Sequence, residues 1–426
     1  MKVTQTRQAY QVEPLVQPLS FKGASLTELW QTVVGLQADD GLCAVGLGVQ
    51  SPLWSDAQAF LQLGEARANA AMFDMTCWVA RRATELTWDS PPDLFDALLP
   101  TTLDHGREVT GIANLSQTFA LNCLVPVDNA AWLLWAQANG IRRFDEMVPL
   151  GYHPALAHRH GRLLSVPMVS YDVPAEEVSQ WAAGGLSLLK IKIGSDPGGR
   201  GDQEEMLQWD CSRLGQLHRA LADVQSPRGE PISYYLDANG RYDSKDRMRR
   251  LLDHADRVGA LGRILILEEP FPPGLNQDVS DLPVRCAVDE GYHSPQDVMY
   301  LLDLGYRCVA LKPAAKTLTL ALRSLQAAHS RGVPCFVADL TVNPVLLEWN
   351  CNVAARLAPL PGMELGILEA NGLQNYRDWD RLLSYHPHPD RPWIRLCEGC
   401  FELGEAFYQS DGDLFEQSSH YAMMVR

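Results

Sequence analysis

The pattern of hydrophobic and polar positions changes about one third of the way along the chain. From Val166 onward, short and continuously apolar runs alternate with longer amphipathic segments. The short runs predict parallel strands buried on both faces, and the longer segments, with prolines near their starts and glycines near their ends, predict helices. Strands are predicted at 166–171, 188–193, 232–237, 264–268, 285–289, 307–312, 333–339 and 363–368, and helices at 175–183, 204–224, 244–258, 295–304, 318–330 and 344–357.

Alternation of strands and helices predicts a parallel sheet with right-handed crossovers. Eight strands within about 200 residues favour a closed α/β barrel, in which functional residues gather at the carboxyl ends of the strands. An open, doubly wound sheet is the alternative.

Residues 1–150 lack this repeat, and their mixture of apolar helices and strands predicts an α+β domain. Pro91-Pro92 and Pro100 predict loops there. We therefore expect an α+β domain over 1–150, the barrel over 151–385, and a C-terminal segment over 386–426 that packs back on the first domain.

The composition of the chain argues against some classes of binding partner. The 426 residues carry a net charge of -16 and a pI of about 5.1, which argues against nucleic acid and anionic membranes. The N-terminus lacks the apolar core of a signal peptide, and no uninterrupted apolar run approaches membrane-spanning length. Ten scattered cysteines are typical of reduced thiols. We expect a soluble cytoplasmic protein that acts on a small molecule.

Ionisable residues close the apolar runs of six successive predicted strands. Such a regular placement is not expected of a solvated charged face. In chain order they are Lys190 and Lys192 on the second strand, Asp237 followed by Asn239 on the third, Glu268 on the fourth, Asp289 and Glu290 on the fifth, Lys312 on the sixth, and Asp339 on the seventh.

The acids Asp237, Glu268 and Asp289 end neighbouring strands, which lie about 4.8 Å apart. Three converging carboxylates repel one another in a low-dielectric site, and a hard divalent cation removes the conflict. All-oxygen ligation suits Mg²⁺ and also Mn²⁺. The alternative is that each acid merely caps the helix that follows it.

Lysine is rare in this chain, with only seven residues, so lysines inside apolar strands call for an explanation. Lys190 and Lys192 lie two apart on one strand and therefore point to the same face. Two close ammonium groups lower each other's pKa, which makes Lys192 a candidate base near neutral pH. Lys312 lies across the barrel. Alternatively, these amines only neutralise the acids.

A metal ion between two opposed lysines suits removal of a proton next to a carboxylate, because the resulting enediolate needs strong electrostatic stabilisation. The ordered motifs K-x-K, D-A-N, E-E-P, D-E and K-P resemble those of the enolase superfamily, in its muconate-lactonising-enzyme-like subgroup. The resemblance covers essentially the whole chain and includes D-G-x-x-x-x-G at 40–46.

This resemblance implies a modified TIM barrel of the (β/α)7β type with an N-terminal α+β capping domain. It implies Asp237, Glu268 and Asp289 as metal ligands, Lys192 and Lys312 as the acid/base pair, and Lys190 as an assisting group. It also implies a homo-oligomer, either a dimer or an octamer.

The sequence does not identify the substrate or the reaction that follows proton removal. Racemisation or epimerisation, cycloisomerisation and elimination all begin with the same proton removal. Glu369-Ala370-Asn371 only half matches the D-x-D of dipeptide epimerases, and Asp339 either binds a cationic substrate group or caps a helix. The cap loop 19–23, with Phe21 and Lys22, is a candidate specificity loop. A non-catalytic homologue that binds a metal and a small carboxylate ligand or a partner is the alternative function.

Overall fold

The computed structural model describes residues 1–426. The chain begins with a three-stranded antiparallel sheet in which β2 lies in the centre. Lys22 and Gly23 both have positive φ and form the two-residue turn between the first two strands, as tight hairpins require. The strands are β1 (Val3–Phe21), β2 (Ala24–Ala38) and β3 (Cys43–Gln50).

Six helices follow this sheet and complete the α+β cap: α1 (Pro52–Ser55), α2 (Ala57–Leu63), α3 (Glu65–Ala83), α4 (Pro91–Thr110), α5 (Gln117–Ala138) and α6 (Phe144–Met147). The prediction of loops at Pro91-Pro92 and Pro100 is wrong. The first two prolines occupy the first turn of α4, where no backbone donor is needed, and Pro100 lies inside the helix.

Helix α5 is the core helix of the cap and packs against β3. It is the one helix whose length and composition would suffice to cross a membrane, and 89% of its most apolar window is buried inside the protein. Its apolar surface therefore faces protein.

The remainder of the chain forms a parallel barrel, which confirms the closed barrel and not the open sheet. All eight predicted strands are present. Pro167 splits the first predicted strand into two short strands. The piece before Pro167 pairs with the last barrel strand, and the piece after it pairs with the second predicted strand, so the two pieces together close the ring. The strands are β4 (Arg162–Val166), β5 (Met168–Val169), β6 (Leu188–Lys192), β7 (Ser233–Asp237), β8 (Ile264–Glu268), β9 (Cys286–Val288), β10 (Cys308–Leu311), β11 (Cys335–Val337) and β12 (Gly366–Glu369).

Helices cover the outside of the barrel. All six predicted helices are present, although the last begins at Leu347 and not at Pro344. With the short α11, which was not predicted, the seven helices are α7 (Ala175–Ala183), α8 (Gln203–Leu221), α9 (Lys245–Arg257), α10 (Pro295–Asp303), α11 (Pro313–Lys316), α12 (Leu318–Ser330) and α13 (Leu347–Ala354).

The chain ends in short elements that contact both parts of the molecule. A hairpin pairs antiparallel with β4, and the last helix contacts β2 of the cap. These elements are α14 (Gly372–Asn375), α15 (Trp379–Leu383), β13 (Leu396–Cys397), β14 (Cys400–Glu402), α16 (Gly404–Ser410) and α17 (Ser419–Met424).

Candidate functional site

The carboxyl ends of the barrel strands meet beneath the cap and enclose a polar cavity of about 40 Å³. Every residue that the sequence singled out at a strand end is buried there or next to it. The cavity is lined by Lys190, Lys192, Asp237, Asn239, Asp289, Lys312, Asp339, Glu369 and Asn371 from the barrel, and by Leu19, Phe21, Ser51 and Trp54 from the cap.

Lys190 lies among carboxylates on β6. Its Nζ is 3.0 Å from Asp237 Oδ2, 3.0 Å from Glu268 Oε2 and 3.1 Å from Glu369 Oε2. Burial disfavours the charged amine, but these carboxylates outweigh burial and raise the pKa of Lys190 well above its usual value. The expectation that neighbouring ammonium groups lower this pKa is therefore wrong for Lys190, which stays positively charged.

Lys192 points to the same face of β6 and is held by two acceptors. Its Nζ donates to Asp237 Oδ2 at 2.6 Å and to Asn239 Oδ1 at 2.7 Å. Burial acts to raise the pKa of Asp237, but Lys190 and Lys192 outweigh it and lower that pKa. Asn239 has a positive φ of 44° and is fixed in turn by Glu290, whose Oε1 accepts from its Nδ2 at 2.9 Å.

Lys312 lies on the opposite side of the ring, directly after β10. Its Nζ is 3.1 Å from Asp289 Oδ2 and donates to the backbone oxygen of Asp339 at 3.1 Å. Burial opposes the charge of Lys312, but Asp289 foremost among its neighbours raises its pKa. Conversely, Lys312 and Lys316 overcome burial and lower the pKa of Asp289.

None of the three acids caps a helix. The helices after β7 and β9 begin at N-caps Ser244 and Ser294, whose side chains accept the capping hydrogen bonds. Asp237, Glu268 and Asp289 are instead completely buried at the ends of their strands. The helix-cap reading of these acids is thereby excluded.

Two of the three proposed metal-ligand acids have one carboxylate oxygen without a hydrogen-bond partner. Glu268 Oε2 accepts from Tyr235 Oη and contacts Lys190, and Asp289 Oδ2 contacts Lys312, whereas Glu268 Oε1 and Asp289 Oδ1 are buried without a hydrogen bond. Burial raises the pKa of Glu268 to about 8. Burying an acceptor without a hydrogen bond costs free energy of folding. A bound cation would satisfy such carboxylate oxygens.

The donor set fits a hard divalent cation in chemistry and charge. No cluster of three or more His, Cys, Asp or Glu side chains is arranged here as a ready ligand set, because Asp237 is turned towards the two lysines of β6. All donors are nevertheless oxygens, and carboxyl groups outnumber amino groups, so a bound divalent cation would favour the ionised form of these acids. Seven carboxyl groups and five amino groups lie at or next to the site: Asp237, Glu268, Glu269, Asp289, Glu290, Asp339 and Glu369, and Lys22, Lys190, Lys192, Lys312 and Lys316.

The ends of the seventh and eighth strands form one hydrogen-bonded unit. Asp339 accepts from the backbone nitrogen of Asn371 at 2.8 Å and from that of Val342 at 3.3 Å, so it holds these strand ends and caps no helix. Burial raises the pKa of Asp339 to about 6. Asn371 Nδ2 donates to Glu369 Oε1 at 2.8 Å, while Asn371 Oδ1 is buried and unpartnered.

Two aromatic rings of the cap close the site over the lysines. Phe21 lies 5.5 Å from Lys192 Nζ, and Trp54 lies 4.7 Å from Lys312 Nζ, as measured to the ring centroids. These distances are within the range of cation–π attraction. The indole nitrogen of Trp54 has no partner. The cap therefore supplies the apolar wall of the cavity.

Comparison with known proteins agrees with this arrangement. The enolase C-terminal domain-like family matches residues 174–382, which contain every strand end described above except that of the split first strand. By this match, residues 174–382 form an enolase C-terminal domain-like region. No curated protein matches the chain significantly.

Solved enolase-superfamily structures share the whole architecture at low sequence identity. A dipeptide epimerase from Enterococcus faecalis, complexed with Mg and L-Leu-L-Tyr, is 16% identical, with a TM-score of 0.58 and coverage of 87% of this chain and 90% of that one. Muconate lactonizing enzyme from Mycobacterium smegmatis, with muconolactone, is 16% identical, with a TM-score of 0.61 and coverage of 89% and 90%. N-succinyl Arg/Lys racemase from Bacillus cereus is 16% identical, with a TM-score of 0.60 and coverage of 90% and 98%. These similarities establish the fold.

Sequence reasoning missed three residues of this candidate site. Tyr235 lies two residues before Asp237 and thus on the same strand face, a signal that was available. Lys316 follows Lys312 by one helical turn and donates to the backbone oxygens of Asp289 and Tyr292. Trp54 carries no sequence signal, because only the docking of the cap brings it to the barrel.

Proposed function

We propose that the chain is a divalent-metal-dependent enzyme that removes the proton α to a carboxylate of a small-molecule substrate. The observation that supports this most directly is the placement of Lys192 and Lys312 on opposite strands of one cavity. At the ends of the strands that lie between these two lysines, Glu268 and Asp289 each have one carboxylate oxygen without a hydrogen-bond partner. A general base and a general acid on either side of a cation site are the parts that this reaction needs.

The acids and the lysines of the site would have different roles in this reaction. Asp237, Glu268 and Asp289 would hold Mg²⁺ or Mn²⁺, which when bound supplies positive charge that stabilises the enediolate form of the substrate. The Nζ of either Lys192 or Lys312 would accept the α-proton, and the other lysine would face the opposite side of the α-carbon. Lys190, which stays charged, adds fixed positive charge next to the substrate carboxylate.

The fate of the enediolate defines the product. Return of a proton from the opposite lysine gives racemisation or epimerisation, while ring closure or loss of a leaving group gives cycloisomerisation or elimination. A cavity of about 40 Å³ is small for such a substrate, and the cap loop 19–23, which contributes Leu19 and Phe21 to its wall, would move when a substrate enters. Asn371 Oδ1 and Trp54 Nε1, both unpartnered, would then accept from and donate to the substrate.

The test is α-proton exchange. The purified protein with Mg²⁺ in D₂O is incubated with dipeptides, N-acyl amino acids, betaines and sugar acids, and deuterium uptake is followed by mass spectrometry. We expect uptake by one class, with loss of about 10²-fold or more in Lys192→Ala and Lys312→Ala. Lys245→Ala, which removes a half-buried lysine paired with Asp281 away from the cavity, is the matched control.

The other outcomes separate the alternatives. Metal binding without exchange in any compound would support a non-catalytic homologue that binds a metal and a carboxylate ligand or partner. Failure of the native protein to bind Mg²⁺ or Mn²⁺ would contradict the assignment of the three carboxylates. We also propose a cytoplasmic homo-oligomer, a dimer or an octamer, which light scattering of the native protein would test.

A further inference from the structure

Glu369 lines the cavity but forms an ion pair with only one lysine, Lys190, and contacts none of the three proposed metal ligands. Its Oε2 is 3.1 Å from Lys190 Nζ. The same ammonium is 3.0 Å from Asp237 Oδ2 and 3.0 Å from Glu268 Oε2, two of the three proposed ligands. Lys190 is therefore shared between the metal-ligand acids and one further carboxylate.

The position of Glu369 is fixed from two sides. Asn371 Nδ2 donates to its Oε1 at 2.8 Å, and the backbone nitrogen of Asp339 donates to its Oε2 at 3.3 Å. The side chain is 3% exposed, and Lys190 is 2% exposed. A buried carboxylate held in this way is positioned as the counter-ion of the ammonium that faces it.

We propose that Glu369 is a positioning residue that sets the metal affinity of the site through Lys190. An ammonium 3.0 Å from two ligand carboxylates repels a divalent cation and competes with it for their oxygens. Glu369 offsets that charge from the other side and leaves Asp237 and Glu268 available to the cation. This inference rests on the proposed metal site, but it requires no knowledge of the substrate.

The test is a double-mutant cycle on Mn²⁺ affinity, measured by electron paramagnetic resonance with calorimetry as a second method. Glu369→Gln is expected to weaken Mn²⁺ binding by at least about tenfold. Lys190→Met is expected to bind Mn²⁺ at least as tightly as the native protein. In the Lys190→Met background, Glu369→Gln is expected to change the affinity by less than about threefold, because the group through which it acts is gone.

Two further variants distinguish this coupling from a general effect of negative charge. Asp339→Asn removes a buried carboxylate from the same cavity without a contact to Lys190, and we expect a much smaller loss than in Glu369→Gln. Asn371→Ala keeps every charge and releases Glu369 Oε1, and we expect a loss of a few-fold. Asn371→Ala keeps the proposal testable if Lys190→Met does not fold, which circular dichroism would show.

An equal loss from Glu369→Gln in both backgrounds, or from Asp339→Asn, would overturn the proposal, as would unchanged affinity in Glu369→Gln and Asn371→Ala. These results differ from a failure of the proposed function. Absence of Mn²⁺ binding in the native protein removes the metal site itself, whereas uncoupled Mn²⁺ binding removes only the role of Glu369.

Discussion

Lys22 Nζ lies 3.0 Å from Glu290 Oε1, so an ion pair connects the first hairpin turn of the cap to the end of the fifth barrel strand. Lys22 also donates to the backbone oxygen of Trp54 at 3.0 Å, and Glu290 accepts from Asn239. The pair is largely buried, with side-chain exposures of 15% and 7%. It therefore ties the loop over the cavity to the residues that hold Lys192.

Lys22→Met is expected to loosen this loop. Amide hydrogen exchange of residues 19–23 should become faster, because the ion pair and the bond to Trp54 are both lost. In the α-proton exchange assay, KM should rise more than kcat falls, because Lys22 contacts no proposed reacting atom. Lys245→Met, which breaks a 2.9 Å surface pair with Asp281, is the control. Equal exchange of the loop in both variants would contradict the prediction.

The two opposed lysines predict different effects on the two enantiomers of a substrate that undergoes exchange. Lys192→Met is expected to abolish exchange from one enantiomer and Lys312→Met from the other, because each amine reaches one face of the α-carbon. Single-turnover exchange with each pure enantiomer, monitored by mass spectrometry, measures this. Loss of exchange from both enantiomers in one variant, with exchange retained in the other, would indicate one-base chemistry.

Gly46 is predicted to tolerate no side chain. A Cβ there would lie 2.0 Å from the backbone oxygen of Pro126 and 2.4 Å from the backbone nitrogen of Ala130, so β3 and α5 would have to separate. Gly46→Ala is expected to lower the free energy of unfolding by about 3 kcal/mol or more. Gly161→Ala, with nothing within 4 Å, should have little effect. Urea denaturation of both proteins checks the difference, and similar midpoints would contradict it.

Asp128 predicts a pH-dependent contribution to stability at the contact of cap and barrel. It accepts from Thr319 Oγ1 at 2.6 Å, and burial raises its pKa to about 6. Because the folded pKa exceeds the unfolded value, the native protein loses stability from this group as pH rises from about 4 to about 6. Relative to Asp128→Asn, which does not titrate, the native free energy of unfolding should fall by up to about 3 kcal/mol across that window. A difference that is constant with pH, measured by urea denaturation, would count against this assignment.

The sequence by itself determined the order of the barrel elements and the residues at the strand ends. A parallel strand buried on both faces is largely apolar, so an ionisable residue that closes an apolar run marks a strand end. The strand Ile264–Glu268 was predicted to the residue in this way. Because side chains along a strand point alternately to its two faces, the spacing of two residues also predicted that Lys190 and Lys192 share one face of their strand. Both rules are local, and they need no knowledge of distant contacts.

Only the tertiary structure decided how those groups are paired. Glu369 lies 179 residues from Lys190 in sequence, and their contact depends on closure of the ring through the strand that Pro167 divides. That contact, with those of Asp237 and Glu268, raises the pKa of Lys190, where local reasoning predicted a fall. The docking of Trp54 and Phe21 over the two proposed acid/base lysines has the same origin, because burial and electrostatic fields arise from the sum of contacts between segments far apart in the chain.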